Sequence, residues 1–319
     1  MTSLARLGEK EIVRRLISQI SSTAAIGPGD DAAAIDMGDY YIVLSTDLVS
    51  EKTHKPKEMT YRQLGWSAAA VNFSDIAAMG AKPIGILLSF GLPKDLEYEN
   101  LSEMMSGAEE CCNAVGATIL GGDTKETSEI ILVGTAIGIV GKDEILLRKG
   151  AKPGDLLAVT GTLGLAAAGY FALKNGFRCA KCIKALLEPM PRVREGLILS
   201  SSGFVTSCID ISDGLAFSLR HLSEASGVAF EVEWEKIPVD FSVCRIAKAS
   251  KINEEELMLY FGGDYQLLFT INPTGWNILK KRLGSRISVI GRAIDGKENV
   301  LIRNNAKVKL EDRGYEHFR

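Results

Sequence analysis

Apolar residues Ile12, Val13, Leu16, Ile17 and Ile20 recur at helical spacing between Glu9 and Ile20 and predict an amphipathic helix. The β-rich run Tyr40–Leu44 ends at Ser45-Thr46-Asp47. Thr60 is placed to cap a helix running to Met79, with Gly80 as its stop. Ile84–Phe90 reads as a strand closed by Gly91-Leu92-Pro93. A second helix then faces Leu101, Met104, Met105, Ala108, Cys112 and Val115 inward. Ala117–Leu120 and Glu129–Val140 read as strands around a Gly121-Gly122-Asp123 turn.

The polar, Gly/Pro-rich link Lys149-Gly-Ala-Lys-Pro-Gly-Asp155 marks the best domain boundary, giving an N-terminal domain 1–148 and a C-terminal domain 149–319. Beyond it the plan repeats. Helices are expected over 162–175, 192–202, 213–226 and 273–283, and strands near 156–159, 205–211, 228–233, 266–271 and 287–290. Strands and helices mixed in each half predict an α/β (α+β) fold in two domains.

Composition narrows the function. The 319 residues are 46% hydrophobic and 24% charged, with a formal net charge of −3, which excludes disorder as the main state. The absence of a basic tract argues against nucleic acid as partner. No signal-peptide pattern opens the chain, and the uncharged run Leu156–Leu173 is broken by Thr-Gly-Thr-Leu-Gly, so it reads as core and the expected location is the cytoplasm, without a membrane. Cys179-Ala-Lys-Cys182 has no second CxxC and only His54, His221 and His317 for company, so reduced thiols are expected rather than a structural zinc.

The informative residues are aspartates at turns and strand ends. Asp30 and Asp31 follow Gly27-Pro-Gly29, Asp47 closes a strand, Asp123 follows a Gly-Gly pair, and Asp210 and Asp213 bracket a helix start. Each one alone is an ordinary turn former or cap. Asp75 is different: it sits in the apolar stretch Ala68–Met79, where an unpaired carboxylate costs several kcal/mol. Many aspartates with few histidines favour a hard, oxygen-seeking ion such as Mg²⁺. The phosphate motif G-x-x-x-x-G-K-[ST] is absent, and Gly27-Pro-Gly29-Asp-Asp-Ala32 lacks a preceding strand and would repel a pyrophosphate, so neither a P-loop nor a Rossmann site is present. No G-x-S-x-G or H-E-x-x-H occurs either.

Seven segments in order carry a family resemblance: Gly29-Asp-Asp-Ala-Ala-Ala34, Ser45-Thr-Asp47, Ala70-Val-Asn-Phe-Ser-Asp-Ile-Ala-Ala-Met-Gly80, Gly121-Gly-Asp-Thr124, Lys152-Pro-Gly-Asp155, Gly161-Thr-Leu-Gly164 and Ile209-Asp-Ile-Ser-Asp-Gly214. From about residue 27 to Gly314-Tyr-Glu-His-Phe318 the chain resembles the thiamine-monophosphate kinases of the aminoimidazole ribonucleotide synthetase superfamily. The resemblance implies a dimer paired through the N-terminal sheet, and transfer of the ATP γ-phosphate to thiamine monophosphate. It implies several Mg²⁺ ions on Asp30, Ser45, Thr46, Asp47, Asp75, Asp123, Asp210 and Asp213, of which Asp47, Asp75, Asp123 and Asp210 carry the catalysis. The nucleotide falls to Met105, Gly122, Asp123, Arg148 and Ser212, and the acceptor to His54, Gly263 and Tyr315.

Three positions depart from the family pattern. Phe261-Gly-Gly-Asp-Tyr-Gln266 has Gly263 where an acceptor-binding Glu is usual, Lys55 replaces a Phe, and the adenine-side aromatic is Met105. Two other readings stay open. One is a superfamily enzyme with a different acceptor, although no cysteine precedes Cys111, as selenophosphate synthetases require, and the chain ends His317-Phe-Arg319 without the terminal cysteine of the hydrogenase-maturation member. The other is a non-catalytic Mg·nucleotide-binding relative.

Overall fold

A computed structural model describes residues 3–318. The N-terminal half opens with α1 (Leu4–Leu7) and α2 (Glu9–Ile17) and builds a five-stranded sheet from β1 (Ala33–Asp36), β2 (Tyr40–Ser50), β3 (Lys82–Leu92), β4 (Thr118–Glu126) and β5 (Ile131–Gly141). The strand order is β1-β2-β5-β3-β4, and only the β3–β4 pair is parallel. Between these strands lie α3 (Glu51–His54), α4 (Tyr61–Ala78) and α5 (Tyr98–Val115).

Helix α4 is the axis of the molecule. Its start is a capping box: Thr60 Oγ1 accepts from the Gln63 N–H at 3.2 Å, and Gln63 Oε1 accepts from the Thr60 N–H at 3.0 Å. Small residues let it bury on every side, and even Asn72 and Ser74 are sealed from solvent. It packs on the sheet, on α5, and on strand Val205–Asp210 and helix Val193–Ser200 of the second half. One core therefore runs from Phe73 and Ile76 across to Cys208, Leu267 and Phe269. The sheet's opposite face is left apolar and open, showing Ile35, Leu48, Ile84, Leu87 and Leu120.

The second half builds a seven-stranded sheet from β6 (Leu156–Thr160), β7 (Val205–Asp210), β8 (Ala229–Glu233), β9 (Leu267–Ile271), β10 (Ile287–Ile294), β11 (Val300–Arg303) and β12 (Ala306–Lys309), in the order β12-β11-β8-β10-β6-β9-β7. Around it stand α6 (Leu165–Lys174), α7 (Ala180–Leu187), α8 (Val193–Ser200), α9 (Leu215–Ser226), α10 (Phe241–Ser250) and α11 (Trp276–Leu283). Among the described residues no helix is long and apolar enough to cross a membrane.

Four expectations need correction. Gly121-Gly122-Asp123 is not a turn: β4 runs straight through it, paired with β3. Met105 is 39% exposed while Met104 is fully buried, because α5 turns the latter toward α4. Helix α2 ends at Ile17 rather than Ile20, and Val13 and Leu16 of its apolar stripe are exposed. Cys179 and Cys182 are not free thiols but form a disulfide at the start of α7. Helices α7 and α10 and the β11–β12 hairpin were not anticipated.

Candidate active site

A loop, the strands β2 and β7, and α4 bring carboxylates together from both halves. Side chains alternate along β2, so Ser45 and Asp47 share one face and Thr46 takes the other. Ser45 Oγ donates to Asp75 Oδ2, fixing the α4 carboxylate beneath the strand. The Asp47 N–H donates to Asn72 Oδ1 at 3.0 Å, and Asn72 is anchored through Nδ2 to the Ala68 carbonyl at 2.9 Å. Asn72 fits only because residue 134 on β5 is glycine: a Cβ there would sit 2.3 Å from its Nδ2. On the other side of α4, Ser74 Oγ donates to Asp210 Oδ2 at 2.5 Å, tying the end of β7 to the same helix.

Asp31, Asp75 and Asp210 converge so that one oxygen of each lies within 4.8 Å of the others. Asp30, the expected ligand of that loop, turns away: its carboxylate accepts from the Arg148 N–H at 3.1 Å and from the Asp31 N–H at 3.2 Å, shaping the loop. Asp31 is the residue that sequence reasoning passed over. Its side chain is 1% exposed, it pairs with Arg148 Nη2 at 2.8 Å, and its Oδ2 is buried without a hydrogen-bond partner. A sealed, unsatisfied carboxylate oxygen beside two more carboxylates fits a bound cation.

The electrostatics agree. Burial raises the pKa of Asp75, and Asp47, Asp210 and Asp31 raise it further. Burial raises the pKa of Asp47, and the neighbouring Asp75 partly offsets this. Burial and Asp31 push Asp210 to about 8, and burial brings Asp30, Asp213 and Asp264 to about 6. Arg148 is the cation that offsets part of this charge, and Asp31 and Asp30 hold its pKa above the ordinary value despite burial.

The remaining expected residues fall around this centre. Ser212 Oγ lies 3.4 Å from Asp213 Oδ2, and the Ser212 carbonyl accepts from the Gly263 N–H at 2.6 Å. Gly263 has φ +91°, a conformation that favours glycine. Two further bonds, Tyr265 N–H to the Ile211 carbonyl and Ile211 N–H to the Gln266 carbonyl, clamp this loop against the end of β7. The His317 ring lies between His54 and Tyr315, with centroids 5.7 Å and 5.0 Å away, and the Tyr315 N–H donates to the Asp213 carbonyl at 3.1 Å. Burial, reinforced by His317, lowers the His54 pKa. The role of His317 in this cluster had no signal in the sequence beyond its place near the terminus.

Four expected residues are not gathered. Thr46 donates to the Gly134 carbonyl at 2.8 Å across the open sheet face. Gly122 and Asp123 lie on the edge strand β4, where Asp123 is solvent-exposed and 3.6 Å from Lys125. Asp47, Gly134, Leu88 and Gly122 form one row across β2, β5, β3 and β4. Three strand spacings separate Asp47 from that end of the row, roughly 14 Å. Met105 stands apart on the exposed side of α5.

Two sheets joined by a buried helix, with acids converging between them, define a known class. Residues 29–140 match the model of AIR synthase related proteins for the N-terminal domain, and residues 152–304 match that for the C-terminal domain. A thiamine-monophosphate kinase of Methanospirillum hungatei is 38% identical over 90% of this chain and 92% of its own length. One from Pyrococcus horikoshii is 32% identical over 99% and 98%. The solved structure of AaThiL complexed with AMPPCP and TMP superposes with a TM-score of 0.89 at 28% identity, covering 99% of both chains. Escherichia coli HypE, a hydrogenase maturation protein, shares the fold at a TM-score of 0.74 and 19% identity, over 95% of this chain and 97% of its own. The chain belongs to the thiamine-monophosphate kinase family of AIR synthase related proteins.

Proposed function

We propose that the chain transfers the γ-phosphoryl group of ATP to the phosphate of thiamine monophosphate, giving thiamine diphosphate. The observation that carries this reading is the convergence of Asp31, Asp75 and Asp210, with an unsatisfied buried oxygen, in a chain of this family. The acceptor is a phosphate monoester, already largely dianionic near pH 7 because its second pKa is about 6. No general base is needed, which suits a site with three histidines in the whole chain. The difficulty is bringing one anion up to another.

Asp31, Asp75, Asp210 and Asp47 would hold Mg²⁺, with Ser45 and Ser74 orienting two of the carboxylates and Asp213 at the rim. When bound, Mg²⁺ supplies the positive charge that screens the phosphates from each other and from these acids. Arg148, Ser212 and Gly122 serve the nucleotide side, and His54, Gly263 and Tyr315 the thiamine side. Residues 1–148 and 149–319 act as two domains that close the site between them.

The same reading includes a cytoplasmic homodimer. The open apolar sheet face fits a second copy of itself, and Thr46 and Asp123 lie on that face. Pairing would deliver the edge strand β4, with Asp123, to the partner's site, which the roughly 14 Å span within one chain does not allow.

The test is thiamine diphosphate formation from ATP and thiamine monophosphate with and without Mg²⁺. Mg²⁺-dependent product is expected, and ATP turnover that ignores thiamine monophosphate would refute the acceptor. Mixing Asp75→Asn with Asp123→Asn subunits, each inactive alone, should restore activity in the mixed dimers. Persistent inactivity there would place Asp123 in its own chain's site or outside the chemistry.

A further inference from the structure

A second guanidinium with a buried Nε lies beside Asp264, next to Gly263, with nothing to hold it. Glu188-Pro-Met-Pro191 carries the chain from α7 into α8, and this segment is fastened to α4. Trp66 Nε1 donates to the Pro189 carbonyl at 2.7 Å, and Ser67 Oγ to the Leu187 carbonyl at 3.3 Å. Just past it Gly196 lies flush against the Ala77 carbonyl. The backbone of Arg192 is therefore fixed on both sides to the helix that carries Ser74 and Asp75.

The side chain of Arg192 is partly buried, its Nε is sealed from water, and it makes no hydrogen bond or ion pair among the described residues. The charges acting on it are Glu195 and Asp264, and both are engaged elsewhere. Glu195 lies 3.9 Å from Arg286. The Asp264 carboxylate accepts from the Gly164 N–H at 2.6 Å and the Ala166 N–H at 3.2 Å, at the start of α6. Arg148 makes the contrast plain: Asp31, Asp30 and Asp210 together outweigh its burial, whereas burial of Arg192 is not offset and lowers its pKa. An uncompensated buried cation is costly, and packing alone would be served better by Leu or Met. The planar fork of a guanidinium matches phosphate oxygens.

We infer that Arg192 receives the phosphate of the acceptor. Two anionic substrates must meet, and Arg148 and Arg192 have no charged neighbour in common: Arg148 acts with Asp30, Asp31 and Asp210, and Arg192 with Glu195 and Asp264. Asp264 adjoins Gly263, the expected acceptor contact, whose Cβ position faces Ala166 of α6 at 3.4 Å. Arg148 serves the nucleotide and Arg192 the phosphate monoester. This assignment rests on the kinase reading above.

The test uses the full chain with Arg192→Met, which keeps the bulk and removes the charge, and Arg192→Lys. In Arg192→Met the KM for thiamine monophosphate should rise at least tenfold while that for ATP stays within twofold. Arg192→Lys should recover part of the loss, and the melting temperature of the unliganded Met variant should be equal to or above that of the parent. An unchanged KM for thiamine monophosphate, a rise confined to ATP, or a fall in melting temperature with both KM values intact would overturn the inference. Inorganic phosphate separates this from the kinase reading. If the parent fails to turn over thiamine monophosphate, that reading falls, yet phosphate should still raise the parent's melting temperature and leave Arg192→Met unmoved. An equal shift in both proteins would overturn the role of Arg192.

Discussion

The lesson of single residues lies in the pair Asp30 and Asp31. Both stand in the same Gly-Asp-Asp turn, and only the backbone decides which carboxylate faces Asp75 and Asp210. The sequence made an acid at this turn legible, but which of two adjacent side chains enters the pocket depends on a bond to Arg148, 118 positions away. The two kinds of acid respond differently to removal. Asp75→Asn relieves repulsion among like charges, so it should cut turnover by roughly 100-fold or more while leaving the melting temperature unchanged or higher. Asp31→Asn also strands Arg148 in the interior and should cost about 3 kcal/mol of stability, read by urea unfolding. If both variants lose stability alike, Asp75 is not held against its neighbours.

Proton linkage gives a second check at this scale. Asp30 and Asp213 at about 6 and Asp210 at about 8 keep their protons in the folded chain above the usual carboxylate range near 4. The stability they contribute is full below the unfolded value and is lost as pH rises through 6 to 8. In the presence of a chelator the melting temperature should therefore fall over that window, and Mg²⁺ should raise it more at pH 8 than at pH 6. His221 works in the opposite sense. Its pKa of about 3, lowered by burial and by Arg148, makes it destabilising as pH drops from 6.5 toward 3. A melting temperature indifferent to Mg²⁺ at pH 8 would contradict the ion-binding role of the cluster.

At the scale of elements, α4 was the most readable and the most consequential. Thr60, Gln63 and the apolar run to Met79 announce its cap, length and burial, and Asp75 stood out for its cost. Strand β4 was misread because Gly-Gly-Asp is the chemistry of turns, whereas here pairing with β3 overrides local preference. The stripe of α2 was read correctly as helical, yet it does not reach the core, since periodicity does not say what covers a face. Thr60→Ala should cost about 1 kcal/mol through the lost cap, with turnover per folded molecule preserved. Gly134→Ala is the sharper probe. Its Cβ would collide with Asn72, so it should displace the amide that positions Asp47 and lower kcat with little change in the KM for ATP. Wild-type kcat in Gly134→Ala would show that Asn72 does not position the acid.

For the whole molecule, two domains and their order could be argued from the Lys149–Asp155 link and the renewed alternation after it. What could not be read was how they join, because contacts such as Ser74 with Asp210, Gln63 with Glu188 and Trp66 with Pro189 are set by tertiary packing and leave no local pattern. The disulfide Cys179–Cys182 likewise answers to geometry rather than spacing. It closes the first turn of α7, which leans on α6 and leads into the segment fastened to α4. Reduction should lower the melting temperature modestly, and a Cys182→Ser variant should match the reduced parent.

Helix α4 belongs by sequence to the first half but is walled in by both. A protease that nicks the exposed link at Lys149 or Lys152 would therefore cut the covalent thread without parting the pieces. The two fragments should co-elute on a sizing column, retain catalysis, and come apart only when the helix itself is melted out of its shared wall.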